Sequence, residues 1–282
     1  MEMQFRKRYF YSSLLIILVS TLLVIGCEKR AWTPERVHVA LKKKNPNYNG
    51  KAMFRIDDDQ VVVMVLTGTG VTDLSALNGM QIQALDLREV SINDLSPLQK
   101  LPLVELYIED TRVEDLEPLQ GMNLVKLYLN NTKVKDITPL KGMPLVELNL
   151  FGTEVLELKP LSGMPLQMLW LNETPISDIS PLSNCPMVSL TLHKTRVKDL
   201  NPLASSSLER LHIGETPVTD LTPLEGLTLT RLIFTPGRIT KGIEIVQEMK
   251  SISEIGPSFE NRMLPEQFWR LYSQGKFDII EK

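Results

Sequence analysis

Eight leucines, Leu85, Leu106, Leu127, Leu148, Leu169, Leu190, Leu211 and Leu232, follow one another at a constant interval of 21 residues. One unit, Val125 to Leu145, reads VKLYLNNTKVKDITPLKGMPL. A fixed period of roughly 20–29 residues implies a solenoid, in which each unit buries its apolar face only by stacking on the next. Such a chain works by displaying a long surface. Binding is therefore the expected function and catalysis the exception.

Within the unit, Leu127 and Leu129 alternate with Lys126, Tyr128 and Asn130. That period of two predicts a short strand with alternate side chains pointing inward. Val134, Ile137, Leu140, Met143 and Leu145 then carry the chain back through an apolar interior. Strands one unit apart stack in parallel at ~4.8 Å, so the expected fold is an α/β solenoid with one concave parallel β-sheet. Asp94 with Pro97, Asp115 with Pro118, Asp136 with Pro139, Asp178 with Pro181, Asp199 with Pro202 and Asp220 with Pro223 mark the return segment. Proline fits the first helical turn, where no N–H is required. The space before Gly121, Gly142 or Gly163 holds only a turn. Short 3₁₀ or single-turn helices are thus expected on the convex side, with Ser96, Thr138, Ser180 and Thr222 as their N-caps. Thr69, Thr111, Thr132, Thr153, Thr174, Thr195 and Thr216 form a further column, broken at Val90 and Gly237. Their hydroxyls are expected to bond nearby backbone, a structural role.

The L-x-L core at this period is the signature of a leucine-rich repeat. The D-[LI]-x-P-L segment resembles internalin-type repeats. The form with Lys141-Gly142-Met143-Pro144-Leu145 is similar to repeats from planctomycete-related bacteria. The resemblance covers Val62 to Phe234, about nine units. Asn45 to Gly50 and Pro265 to Trp269 resemble that family's N- and C-terminal caps. Some of its members carry a kinase beside the array. This chain lacks a Gly-rich phosphate loop and a catalytic-loop motif.

The N-terminus carries a separate message. Arg6, Lys7 and Arg8 precede an apolar run from Leu14 to Ile25, broken only by Ser20 and Thr21. A bilayer span needs ~20 apolar residues, so this shorter run reads as an export signal. Leu23-Val24-Ile25-Gly26-Cys27 resembles a bacterial lipobox, which implies cleavage before Cys27 and attachment of acyl chains (palmitate or a relative) to it. Two or more chains give stable membrane anchoring. The expected location is the bacterial cell envelope, facing the periplasm or the exterior. The expected domains are a signal peptide at 1–26, a lipidated cysteine, tether and N-terminal cap at 27–61, the repeat array at 62–236 and a helical C-terminal cap at 237–282. Removing residues 1–26 takes away one acidic and three basic side chains, moving the formal net charge from −3 to −5. No basic excess points to nucleic acid. The other cysteine, Cys185, shares a column with Met122, Met143 and Met164 and should be buried.

The flanks are expected to close the solenoid ends. Thr33-Pro34 should start a helix through Val37 and Leu41 to Lys44, followed by a strand pair at 55–57 and 61–65. His38 on that helix reads as a surface residue. Thr240 should cap a helix from Lys241 to Met249, and Pro265 to Tyr272 should bring Phe268, Trp269 and Tyr272 onto the last repeat.

Outward strand positions give two columns of a display face. One runs Asp86, Tyr107, Tyr128, Asn149, Trp170, Thr191, His212, Ile233, and the other Arg88, Glu109, Asn130, Phe151, Asn172, His193, Gly214, Thr235. Tyr107, Tyr128, Phe151 and Trp170, interleaved with Asn130, Asn149 and Asn172, suit a protein or peptide partner. Trp170 is the leading residue, read as solvent-exposed. A polysaccharide is the alternative ligand, and ordinary cross-strand packing the structural one. Asp86, Glu89, Glu105, Glu109 and Asp110 weight the early units, and Lys194, Arg210, His212 and Arg231 the late ones, diluted by Glu173 and Glu215. His193 and His212 sit on adjacent units, with Glu173 and Glu215 nearby, so a metal-dependent enzyme is a minor alternative. The expectation is a non-enzyme with no cofactor and no metal.

Overall fold

Stacking of the leucine columns generates one continuous sheet. The structure, a computed structural model, describes residues 31–277, so the signal segment and Cys27 lie outside the described residues. Strands β1 (Met53–Asp57) and β2 (Gln60–Val65) form an antiparallel pair. The sheet then continues in parallel, in chain order, through nine further strands. These are β3 (Ala84–Asp86), β4 (Glu105–Tyr107), β5 (Lys126–Tyr128), β6 (Glu147–Asn149), β7 (Met168–Trp170), β8 (Ser189–Thr191), β9 (Arg210–Ile213), β10 (Arg231–Phe234) and β11 (Glu254–Gly256). The register pairs Leu85 with Leu106, Leu106 with Leu127, and so on to Leu232 with Ile255. Every leucine of the column is fully buried. A one-residue slip would expose the whole column, so the 21-residue period locks the register.

The convex side carries a 3₁₀ turn in each unit, as at Thr138–Leu140 and Ser180–Leu182. The expected serine and threonine caps are corrected: Ser96, Thr138, Ser180 and Thr222 donate rather than cap. The aspartate two residues earlier accepts the first backbone N–H, at 2.8 Å for Asp94, Asp136, Asp178 and Asp220. Asp115 and Asp199 do the same at 2.8 and 2.9 Å. An aspartate reaches two residues ahead through an Asx turn, which leaves the residue before proline free of that task. These bonds hold the carboxyls of Asp94, Asp136, Asp178 and Asp220 below their ordinary range.

The threonine column behaves as expected. Each hydroxyl donates to the carbonyl three residues back, at 2.7 Å from Thr132 to Leu129 and 2.6 Å from Thr174 to Leu171. Cys185 is buried, its thiol 3.4 Å from the Leu161 carbonyl, and burial pushes its pKa up.

Helix α1 (Pro34–Lys44) covers the first repeat, with Thr33 accepting from the Arg36 N–H. Buried Asn45 fastens it: its amide donates to the Leu41 and Asp73 carbonyls, and its oxygen accepts from Thr72 and Asp73. His38 is not a free surface residue, since its ring meets the Tyr48 hydroxyl at 2.6 Å and the edge of Phe54. At the far end, α2 (Ile243–Glu248) starts after Gly242, whose φ is +81°. Thr240 does not cap α2, because its hydroxyl is turned back to the Thr219 carbonyl. Gly242 is required there: a Cβ would sit 2.5 Å from the Thr222 nitrogen. Helix α3 (Pro265–Ser273) seals the last repeat by setting Phe268 against Phe234 and Phe277.

Candidate functional site

The central inward residue of each strand from β3 to β10 is leucine, so the outward positions are free to vary, and they form the concave face. On β4 and β5 the outward positions are Glu105 and Tyr107, then Lys126 and Tyr128. Their charges lock together. The Lys126 ammonium lies 3.7 Å from Glu105 and 3.3 Å from Glu147. The Tyr107 hydroxyl donates to Glu105 at 2.9 Å and the Tyr128 hydroxyl to Glu147 at 2.6 Å. Both phenols are pushed above their ordinary pKa, first by burial and then by these carboxylates.

The rings continue the network. Tyr107 meets Tyr128 edge-on, with centroids 5.2 Å apart, and Tyr128 meets Trp170 in the same way at 5.6 Å. Trp170 therefore leans over Asn149 to reach a ring two strands away. It is half-buried rather than solvent-exposed, because Tyr128 covers part of it. Phe151 is outside this chain of rings. Asn149 accepts from the Phe151 N–H and Asn172 from the His193 N–H, both at 3.0 Å, so these amides order the turns after their strands.

Two further clusters flank the aromatic ridge. Toward the N-terminus, Asp86 is buried and takes the Arg88 guanidinium in a two-oxygen grip at 3.0 and 3.1 Å. Glu109, in the next unit, is 9% exposed, and its Oε2 meets no donor. Burial raises its pKa to about 7, against the opposing pull of its own backbone N–H and of Arg88. Asn130, one unit on, also has a buried side-chain oxygen without a donor.

Toward the C-terminus, the His193 and His212 rings stack with centroids 4.9 Å apart. His193 Nδ1 bonds the Gly214 carbonyl at 3.0 Å. His212 has a buried, unpartnered Nε2, and burial, then His193, depresses its pKa to about 4. A Cβ on Gly214 would come within 2.9 Å of that nitrogen, so glycine makes room for the pair. Glu173 is committed to Lys194 at 3.2 Å, and among the described residues no group of three His, Cys, Asp or Glu is placed to hold a metal. Ile233 is corrected from display face to core: it is fully buried, beside its sheet neighbour Gly256, against which the Asn261–Arg262 backbone folds.

The structure thus unites Tyr107, Tyr128 and Trp170, and separately His193 and His212, while Phe151 stands apart. The column formed by Glu105, Lys126 and Glu147 carries the tyrosine network and was not singled out from the sequence. Its signal was present, since period two makes these residues outward.

No protein-family model matches the chain, and no curated protein sequence matches it. Among solved structures it is similar to an internalin (inlF) from Listeria monocytogenes, at 25% identity and a TM-score of 0.60, over 79% of this chain and 73% of that one. It is also similar to an internalin C2 (inlC2) from the same organism, at 22% identity and a TM-score of 0.56, over 78% of this chain and 91% of that one. The fold is an internalin-type leucine-rich-repeat solenoid.

Proposed function

We propose that this chain is a lipid-anchored repeat protein that holds a protein or peptide partner at a bacterial envelope through its concave face. The observation that carries this reading is the half-buried ridge of Tyr107, Tyr128 and Trp170 on a sheet whose other face is closed core. Rigid aromatic anchors cost little entropy on binding and dominate protein interfaces. The likeness to internalin repeats supports a binding module. We read the protein as a non-enzyme.

A polysaccharide is the second reading. The ridge rings stand at 67° and 88° to one another, so consecutive sugars find no flat platform spanning them. That geometry favours interdigitation with protein side chains. The anchor reading rests on the lipobox-like Leu23 to Cys27, which also carries the envelope location.

Affinity capture from native envelope extract, with the full chain as bait, tests the proposal. A partner retained by the wild type and lost with Trp170→Ala and Tyr128→Ala supports it. Retention by both variants, or a saturable signal on a glycan array, sinks it. For the anchor, Cys27→Ser should abolish labelling by a palmitate analogue and release the chain from membranes. Continued labelling would contradict it.

A further inference from the structure

The charged groups of the concave face divide by sign. Outward positions on β3 to β6 and the turns after them carry six carboxylates, Asp86, Glu89, Glu105, Glu109, Asp110 and Glu147, against two cations, Arg88 and Lys126. Both cations are committed, Arg88 to Asp86 and Lys126 to Glu105 and Glu147. Glu89 is exposed and Asp110 accepts from Asn131, so Glu109 is the buried carboxylate left over, nine-tenths buried and with an oxygen that meets no donor among the described residues. Beside it in the next unit lies the equally unpartnered Asn130 oxygen. Two adjacent acceptors without donors are matched by a cationic group with several N–H bonds.

The same positions on β7 to β10 carry two carboxylates, Glu173 and Glu215, against three cations, Lys194, Arg210 and Arg231. Glu173 pairs with Lys194, and Glu215 lies 3.7 Å from His193. Arg231 is committed to Glu254 on β11. Arg210 is half-buried on β9, and its guanidinium has no hydrogen bond or ion pair among the described residues. Arginine presents a planar fork suited to a carboxylate.

We propose that the face takes an extended segment of a partner protein whose basic side chain seats against Glu109 and Asn130 and whose acidic side chain seats on Arg210. This rests on the concave-face reading above and gives the partner a chemistry and a length. Glu109 follows β4 and Arg210 opens β9, five strand steps away. At ~4.8 Å per strand that is about 24 Å across the sheet, with ~13 Å along the strands. The diagonal is about 27 Å, which an extended chain covers in roughly eight residues at ~3.3 Å each. The aromatic ridge of Tyr128 and Trp170 lies between the two ends, under the middle of such a segment. Ion pairs at the ends would set its register, while the ridge supplies contact area.

Fluorescence anisotropy with the full chain and labelled peptides tests this. One probe carries an arginine and a glutamate about eight residues apart with a leucine at its centre. The controls carry two arginines, two glutamates, or the same unlike pair two residues apart. The first probe should bind about fivefold tighter than any control, with the margin shrinking as salt rises. Glu109→Gln and Arg210→Gln should each remove the margin, and Arg210→Glu should transfer the preference to the two-arginine probe. Equal affinity for all probes, no binding of any, or a margin untouched by the variants overturns the inference. Loss of the captured envelope partner with Trp170→Ala but not with Arg210→Glu would leave the concave-face reading standing and remove this one. Retention with Trp170→Ala would remove the broader reading itself.

Discussion

The two sides of the solenoid solve the same problem by opposite means. On the convex side and at the turn that leaves each strand the chemistry repeats: aspartate after aspartate accepts the same backbone N–H at 2.8 or 2.9 Å, and threonine after threonine donates to the carbonyl three residues back. On the concave side almost nothing repeats. Tyrosine–carboxylate bonds, an aromatic ridge, a stacked histidine pair and a half-buried arginine follow one another. Repetition marks what every unit needs in order to stack. Variation on the same scaffold marks surface released from that need, where specificity is free to accumulate.

The largest expected effect breaks the stacking itself. Leu148→Ala removes a fully buried side chain from the shared column and should cost about 2–5 kcal/mol in denaturant unfolding. Asn149→Ala, its outward neighbour, should cost less than about 1 kcal/mol. Equal losses at the two positions would erase the distinction between the sides.

Glu109 sharpens the comparison, because it is a concave residue that costs stability. Its folded pKa of about 7 lies above the ordinary 4.5, so the folded state holds the proton more tightly than the unfolded chain. Stability is therefore lost as pH rises from about 4.5 through 7. Arg88, Asp86 and Asp110 face the carboxyl and set the balance. Glu109→Gln should stabilise the protein by about 1–3 kcal/mol at pH 8 and by almost nothing at pH 4, in paired urea titrations. A gain that does not change with pH would mean the carboxyl is not titrating there. Asp136→Ala, on the convex side, should cost about 0.5–2 kcal/mol by orphaning the Thr138 N–H.

The sequence made the convex side legible because its residues recur in register: leucines, threonines and Asp-x-x-Pro columns each point to one structural role. Even there, the aspartate and not the following serine or threonine proved to be the cap, since spacing alone does not say which side chain reaches the N–H. The concave side was legible only as a list of outward positions. Trp170 leaning onto Tyr128, and Ile233 vanishing under the C-terminal cap, depend on contacts between units and across chain ends that no period encodes. Gly214 is a similar case: in the sequence it is a gap in a column, and in the fold it is the space that lets His193 and His212 stack.

Hydroxyl-radical footprinting of the full chain, free and with its captured partner, tests the division most directly. It reads the solvent exposure of individual side chains. The account predicts that the partner lowers oxidation at Trp170, Tyr128 and Phe151 and leaves exposed Leu156, outside the concave columns, unchanged. Protection of Leu156 with the ridge still fully reactive would contradict it.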